Sequence, residues 1–344
     1  MVPLIALRDP RFAWVPRQAP PPVPATPRTP SRAAETRTAN RRLRPAPVPP
    51  TVRDVPELPE VETVRRMLER SVRGRTIRSV ALSGLPLRER VSPSLPRRLR
   101  GRTIQRLERR GKYLLMRLDG GLTLLSHLGM SGRWLVPREG ERPVLDHVHA
   151  RFGFADGTRL WFQDVRRFGL LRLVRTDELD RDPVLARLGP DPLASRPTGA
   201  TLGGQARGAR MAVKSFLMDQ RRIAGLGNIY ASEILHRAGV DPRRRAGSLT
   251  PREWGRVARA IGVVLGEAIG RMGTTFSAYR TVWGEPGEYG ELLRVYDRAG
   301  EPCRRCGTVI RRIVQGQRST FYCPSCQGAL GMAGRTRRRL PASP

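Results

Sequence analysis

Four cysteines in the pattern Cys303-x2-Cys306-x16-Cys323-x2-Cys326 constrain this chain more than any other feature. Each close pair can form a knuckle, and two knuckles place four thiolates tetrahedrally around zinc. Such a set leaves no ligand position for water, so the spacing predicts a structural site rather than a catalytic one. A redox pair is the competing reading, but a second pair at this distance favours metal. The expected cofactor is Zn, one ion held by Cys303, Cys306, Cys323 and Cys326.

The formal charge of +34 and pI near 11.7 point to a polyanionic partner, most simply nucleic acid. Charge alone leaves open a ribosomal or chromatin-type binder without chemistry. No apolar run is long enough to span a bilayer, so no membrane partner is expected. The opening residues have no sustained apolar stretch, so a secretory signal is not expected and the compartment reads as cytoplasmic. Of 64 basic side chains only Lys112 and Lys214 are lysines. Where arginine has replaced lysine almost everywhere, the two survivors are suspects for work that needs a compact ammonium rather than a planar fork.

Residues 1–54 are rich in Pro, Arg, Ala and Thr without apolar periodicity and read as disordered. From Pro56 the pattern changes. Val61, Val64, Met67 and Leu68 have helical spacing, with Glu57, Glu60 and Glu62 enriching the first turn. Short β-type runs follow at 76–82, 103–107, 113–118, 122–127, 133–137, 147–154, 159–162 and 170–174, separated by turns such as Asp119-Gly120-Gly121. Many short strands with few helices between them predict a β-sandwich. Helical patterns then occupy 183–188, 208–219, 229–238 and 251–271, with Gly225-Leu226-Gly227-Asn228 between two of them. A helix, glycine turn and helix can aim backbone amides at a phosphate.

Pro-Glu-Leu-Pro-Glu-Val-Glu-Thr at 56–63 resembles the N-terminal signature of the bacterial formamidopyrimidine-DNA glycosylases. The resemblance continues through Arg110-Gly111-Lys112-Tyr113, His127-Leu128-Gly129-Met130-Ser131-Gly132, Asp164-Val165-Arg166-Arg167-Phe168-Gly169, Lys214 to Asp219, Gly227-Asn228-Ile229-Tyr230, and Gln317-Arg318-Ser319-Thr320-Phe321-Tyr322-Cys323. It implies a multidomain α+β protein. A β-sandwich catalytic domain (56–180) precedes a helical helix-two-turn-helix domain (181–292), a zinc-finger β-hairpin (293–328) and a disordered tail (329–344).

The resemblance also implies roles. In the family the proline is residue one and its secondary amine is the nucleophile. Pro56 takes that place here, with Glu57 as the neighbouring acid or base, Lys112 at the phosphate or leaving base, and Arg318 in the catalytic set. Glu60 and Glu233 resemble further carboxylates near the site. Lys214, Asn228 and Arg318 resemble a phosphate clamp, which His127 joins. Met130, Arg166 and Phe168 match a trio that fills the gap left by a flipped base. The segment 272–290 matches a loop over that base, its glycines suggesting mobility. The implied activity is excision of 8-oxoguanine and formamidopyrimidines from double-stranded DNA through a Schiff base, then β,δ-elimination, by a monomer associated with the nucleoid.

One departure bears on chemistry. Pro56 follows Val55, and a proline inside a chain has no amine. Valine is the internal reading of GUG, which can also initiate with Met, so residues 1–55 are expected to be absent from the mature protein. Two alternatives stay open: an oxidised-pyrimidine (endonuclease VIII-like) glycosylase, and a non-catalytic zinc-finger DNA binder if Pro56 is never exposed. Leu58-Pro59-Glu60 and the long loop near Gly273 favour purines, because the sister enzymes usually carry Gly after Pro-Glu.

Overall fold

The computed structural model describes residues 55–138, 146–276 and 279–328, and the expectations of disorder for 1–54 and 329–344 lie outside these residues. Helix α1 (Leu58–Val72) forms where the apolar spacing places it, burying Leu58, Val61, Val64, Met67, Leu68 and Val72. Glu60 closes its start by accepting the Glu57 N–H at 2.8 Å. The first-turn glutamates do not all serve this helix, however. Glu57 turns to another helix, and Glu62 pairs with Arg65, Arg66 and Arg109. Backbone N–H groups around Gly227 hold Glu57, and three guanidiniums, two of them on α1 itself, hold Glu62.

Next come β1 (Ile77–Leu82), α2 (Leu95–Leu99), β2 (Ile104–Arg110), β3 (Tyr113–Leu118), β4 (Leu122–His127), β5 (Gly132–Leu135), β6 (Val148–Phe154), β7 (Arg159–Asp164) and β8 (Leu170–Arg175). They form two antiparallel four-stranded sheets, β1-β6-β7-β5 and β2-β3-β4-β8. A core of Trp134, Phe152, Phe162, Leu114, Met116 and Leu124 joins the apolar stripe of α1. The Trp134 ring lies 5.0 Å from Phe162 and 5.6 Å from Phe152, and its indole N–H donates to Ser126 Oγ, so this buried donor is not orphaned.

The second half holds α3 (Pro192–Ser195), α4 (Gly199–Ala206), α5 (Val213–Met218), α6 (Asn228–Ala238) and α7 (Pro251–Gly270). Helix α7 starts with Pro251 after a Thr250 cap whose hydroxyl accepts the Glu253 N–H. Strands β9 (Arg311–Gln315) and β10 (Arg318–Tyr322) form a hairpin, followed by α8 (Pro324–Gln327). One apolar core runs from Trp254, Phe216 and Leu235 into Ile310, Phe321 and Cys323, so the hairpin is packed on the helices rather than tethered to them.

Two helix expectations change, and α4 is an addition to them. The run at 183–188 is only a 3-10 turn, Leu185–Arg187. The run at 208–219 becomes helical at Val213, after Ala212 has paired with Arg245 in an isolated bridge. Helix α4 was not foreseen, because Gly199, Gly203 and Gly204 weaken its helical signal. Packing supplies the reason: at Gly199 a Cβ would fall 2.6 Å from the Gly255 nitrogen of α7.

Candidate active site and nucleic-acid interface

The turn Gly225-Leu226-Gly227 is where candidates far apart in sequence meet. Leu58 donates its N–H to the Gly225 carbonyl at 3.1 Å, which sets Pro56 and Glu57 against the turn. The Glu57 carboxylate then caps α6. It accepts the N–H groups of Gly227 at 2.7 Å, Ile229 at 2.8 Å and Tyr230 at 3.4 Å. A helix N-terminus offers unpaired N–H groups and positive partial charge, so a buried carboxylate is satisfied there. Only glycine permits this approach, because a Cβ at 227 would fall 2.4 Å from the Glu57 carboxyl carbon. Glu57 is 2% exposed, and Pro56 is buried beside it.

Glu60 backs this arrangement. It accepts from Glu57 N–H, from Thr274 N–H at 2.7 Å and from the Tyr230 hydroxyl. Burial pushes its carboxyl up, against the bonds from Tyr230, Thr274 and Glu57 that pull it down. Glu233 is elsewhere. It accepts the N–H groups of Arg294, Val295 and Tyr296, each at 2.9 Å, and so anchors the approach to the zinc finger rather than lining the site. The segment 272–290 is tied down at Thr274 and at Tyr289, whose N–H reaches the Gly273 carbonyl. Tyr279 and Val282 are buried in the sandwich core.

Lys112 stands in the two-residue turn of the β2–β3 hairpin, after Gly111 at φ +57°, a conformation such turns give to glycine. Gly111 rests on the same glycine turn, where a Cβ would lie 3.1 Å from Ala224 Cβ and 3.3 Å from the Gly225 nitrogen. Pairing of β3 with β4 sets Tyr113 opposite His127 and brings Lys112 near that ring. The His127 Nδ1 accepts the Gly129 N–H at 2.9 Å and faces Arg88 Nη2 at 3.3 Å. The ring proton therefore sits on Nε2.

Burial, with the charges of Arg88 and Lys112, holds the imidazole at about 3, so His127 is a neutral donor near pH 7. An unfolded histidine takes up a proton below its ordinary 6.5, and the folded one does not until about 3. Stability from this group is complete above pH 6.5 and falls by roughly 1.4 kcal/mol per unit as pH drops toward 3. Denaturant unfolding at about pH 7 and pH 5 should show this loss, and His127→Phe should remove that part of the dependence. Equal slopes in the two proteins would contradict the assignment.

The three residues expected to fill the gap, Met130, Arg166 and Phe168, are brought together by Asp164, which is fully buried. Its Oδ1 accepts from Ser131 Oγ at 2.6 Å and Arg166 N–H at 3.3 Å, and its Oδ2 accepts Gly169 N–H at 2.7 Å. One carboxylate thus ties the loop carrying Met130 to the loop carrying Arg166 and Phe168. Phe168 is 44% exposed, with the Arg166 guanidinium 4.8 Å from its ring centre, so it is not core. Met130 is half-buried. Arg88 also joins the set by donating to the Phe168 carbonyl. Sequence reading missed Arg88 and Asp164: one more arginine carries no signal in this chain, and Asp164 stood in the matched motif without an assigned task.

Lys214, expected at a phosphate, is a buried post in this structure, 2% exposed. Its Nζ donates to Asn228 Oδ1 at 2.6 Å, Thr320 Oγ1 at 2.7 Å and the Ser319 carbonyl at 2.9 Å. Three ammonium protons meet three acceptors on two elements, α6 and β10, which a flat guanidinium cannot copy. Asn228 in turn donates to the Tyr296 hydroxyl. Lys214 thereby orients the Asn228 amide and fastens β10 next to Arg318, which is exposed at the head of that strand. Lys214→Arg, although charge-conserving, is expected to weaken DNA binding about tenfold through lost orientation; binding within about twofold of the parent in a fluorescence titration would contradict this.

The cysteine sulfurs lie within 4.8 Å of one another, with Cys306–Cys323 at 3.5 Å, Cys306–Cys326 at 3.4 Å and Cys303–Cys326 at 4.0 Å. Four Zn–S bonds of ~2.3 Å in a tetrahedron require sulfurs ~3.8 Å apart, so the set fits one zinc ion. Backbone N–H groups of Arg305 and Cys326 point at Cys303 and Cys323 sulfurs, as thiolate knuckles require. Zinc here cross-links the finger and adds no reactive position.

Comparison with known proteins agrees with this geometry. Residues 55–171 match the formamidopyrimidine-DNA glycosylase N-terminal domain, 188–280 its H2TH domain, and 300–328 the zinc finger found in FPG and IleRS. A formamidopyrimidine-DNA glycosylase of Desulfitobacterium hafniense is 44% identical over 221 residues, 64% of this chain and 80% of that protein. One from Pelotomaculum thermopropionicum is 47% identical over 219 residues, 64% of this chain and 79% of that protein. The crystal structure of MutM (Fpg) from Thermus thermophilus is 41% identical and superposes with a TM-score of 0.71 over 79% of this chain and 99% of that one. A Lactococcus lactis Fpg in complex with DNA containing an abasic site is 33% identical, with a TM-score of 0.72 over 79% and 99% of the two chains. From sandwich to finger, the chain belongs to the formamidopyrimidine-DNA glycosylase family.

Proposed function

We propose that this chain is a base-excision-repair DNA glycosylase and abasic-site lyase that removes 8-oxoguanine and formamidopyrimidines from double-stranded DNA. The observation that carries the reading is the Glu57 carboxylate, buried on the N-terminus of α6 next to Pro56, with the Lys112 turn seated on the same glycine turn. In the working form the chain begins at Pro56, whose nitrogen is then a secondary amine. An α-amine titrates near pH 8, so a useful fraction is neutral at physiological pH.

The neutral nitrogen attacks sugar C1′ as the damaged base leaves with its bonding pair and takes a proton. Loss of the nitrogen's proton and opening of the sugar ring leave an iminium. The iminium acidifies the proton on the neighbouring carbon. Its removal expels the 3′ phosphate, and a second elimination expels the 5′ phosphate. Glu57 moves protons at the Pro56 nitrogen and the sugar. Lys112 donates to the phosphate beside the lesion, with Nε2–H of His127, Asn228 and Arg318 as further donors. Met130, Arg166 and Phe168 fill the space that the flipped base vacates.

The basic surface suits a monomer working on the nucleoid in the cytoplasm. Among the described residues no helix is long and apolar enough to cross a membrane. A second reading has one observation behind it: a Lactococcus lactis relative, 33% identical, was solved with DNA containing an oxidised pyrimidine. Single-turnover excision from matched duplexes decides between them. Faster release of 8-oxoguanine is the expected result, and faster release of an oxidised pyrimidine overturns the purine assignment. A protein that begins at Pro56, binds both duplexes and cuts neither is a binding protein.

A further inference from the structure

Asp191 lies outside the motifs quoted from the sequence, yet its carboxylate is fully engaged beside the Lys112 turn. Oδ2 accepts from Arg109 Nη1 at 2.5 Å and from the Gly111 N–H at 3.1 Å. Oδ1 accepts from Arg109 Nη2 at 3.0 Å and from the Leu193 N–H at 3.1 Å. The Arg109 side chain is 5% exposed, pairs on its other side with Glu62 of α1, and donates Nη1 to the Gly111 carbonyl at 2.9 Å. The peptide groups flanking Gly111 are therefore gripped from both ends, the N–H by Asp191 and the carbonyl by Arg109. The chain of contacts runs from α1 through β2 to the cap of α3, across the seam between the sandwich and the helical half. Glu62 is shared with Arg65 and Arg66, so Asp191 is the carboxylate that holds Arg109 and the Gly111 N–H together. That double grip fixes the turn itself.

We propose that Asp191 is a positioning residue: it fixes the Gly111-Lys112 turn across this seam so that the Lys112 ammonium meets DNA phosphate without having to be ordered on binding. The inference rests on the assignment of Lys112 to a phosphate given above. An unclamped hairpin turn has to lose that freedom when its lysine engages, and a single phosphate contact does not return that cost, so without the clamp the contact is not made. Asp191 also caps α3 through Leu193, a structural duty that the test must separate. Serine suits that separation, because it caps well but cannot span to both Arg109 and Gly111.

The probe is a duplex carrying a tetrahydrofuran abasic-site analogue, and the readout is the slope of log Kd against log salt. Each phosphate contact contributes about 0.9 to that slope. Lys112→Ala and Asp191→Ser are each expected to lower it by about 0.9, the double variant to match the singles, and Asp191→Glu to restore the parent slope. A merely structural role would lower the melting temperature, leave the slope alone and add to the effect of Lys112→Ala. That pattern, with Lys112→Ala lowering the slope and Asp191→Ser not, overturns the inference alone. A parental slope in Lys112→Ala overturns the phosphate assignment and the inference together. If Asp191→Ser does not fold, Asp191→Asn, which keeps the cap acceptor without the charge, carries the same comparison.

Discussion

In the form that begins at residue 56, Pro56→Gly is expected to slow strand cleavage by about 100-fold or more while leaving affinity for abasic-analogue DNA within about twofold. The structure explains the split. Pro56 and Glu57 are held by the Leu58–Gly225 bond and by the three N–H groups on Glu57, none of which needs the pyrrolidine ring. Glycine keeps an amine but loses the ring that fixes its direction, and small misplacement of a nucleophile costs about that factor. The proposed phosphate donors Lys112, His127, Asn228 and Arg318 stand on other elements and are untouched. Single-turnover nicking and a binding titration on one preparation check both halves. An unchanged nicking rate would remove Pro56 from the chemistry.

Cys323→Ser is expected to release zinc and lower DNA affinity by about tenfold or more in one step. Cys323 is buried in the core shared by the helices and the finger. It directly follows β10, which carries Arg318 and supplies Lys214 with the Ser319 carbonyl and Thr320 hydroxyl. Losing the metal loosens β10, and with it the exposed arginine and two acceptors of the buried ammonium. That ammonium then has to find new partners or hydrate. Metal analysis of the purified variant should give no bound zinc against one ion in the parent, and a filter-binding series should show the affinity loss. Zinc retained at one per chain, or zinc lost without loss of affinity, would contradict the link.

Much of the architecture was legible because local signals agreed with the global fold. Asp119-Gly120-Gly121 separates two apolar runs, and β3 and β4 fall where those runs predict them. The cysteine spacing led to the sulfur cluster, and the Gly225–Gly227 turn to the start of α6. What the sequence hid is pairing over long separations. Nothing local says that Glu57 caps a helix 170 residues away, that Asp191 grips Gly111, or that Asp164 ties two loops together. Each is a carboxylate whose partners include backbone N–H groups, and backbone donors leave no mark in a sequence. Helix α4 was missed for a related reason, since Gly199 answers to α7 and not to its neighbours. The two lysines are the opposite case. Composition singled them out, and for Lys214 the three-acceptor site supplies the physical reason.

The Schiff-base chemistry depends on Pro56 carrying a free amine, so the most direct measurement traps it. Protein produced from its native start region is incubated with an 8-oxoguanine duplex and borohydride, and the intact mass of the adduct is read. The predicted result is one covalent DNA adduct on a chain whose first residue is Pro56. A chain still carrying residues ahead of Pro56 that binds the duplex but yields no adduct would contradict the mechanism and leave a zinc-held DNA-binding protein.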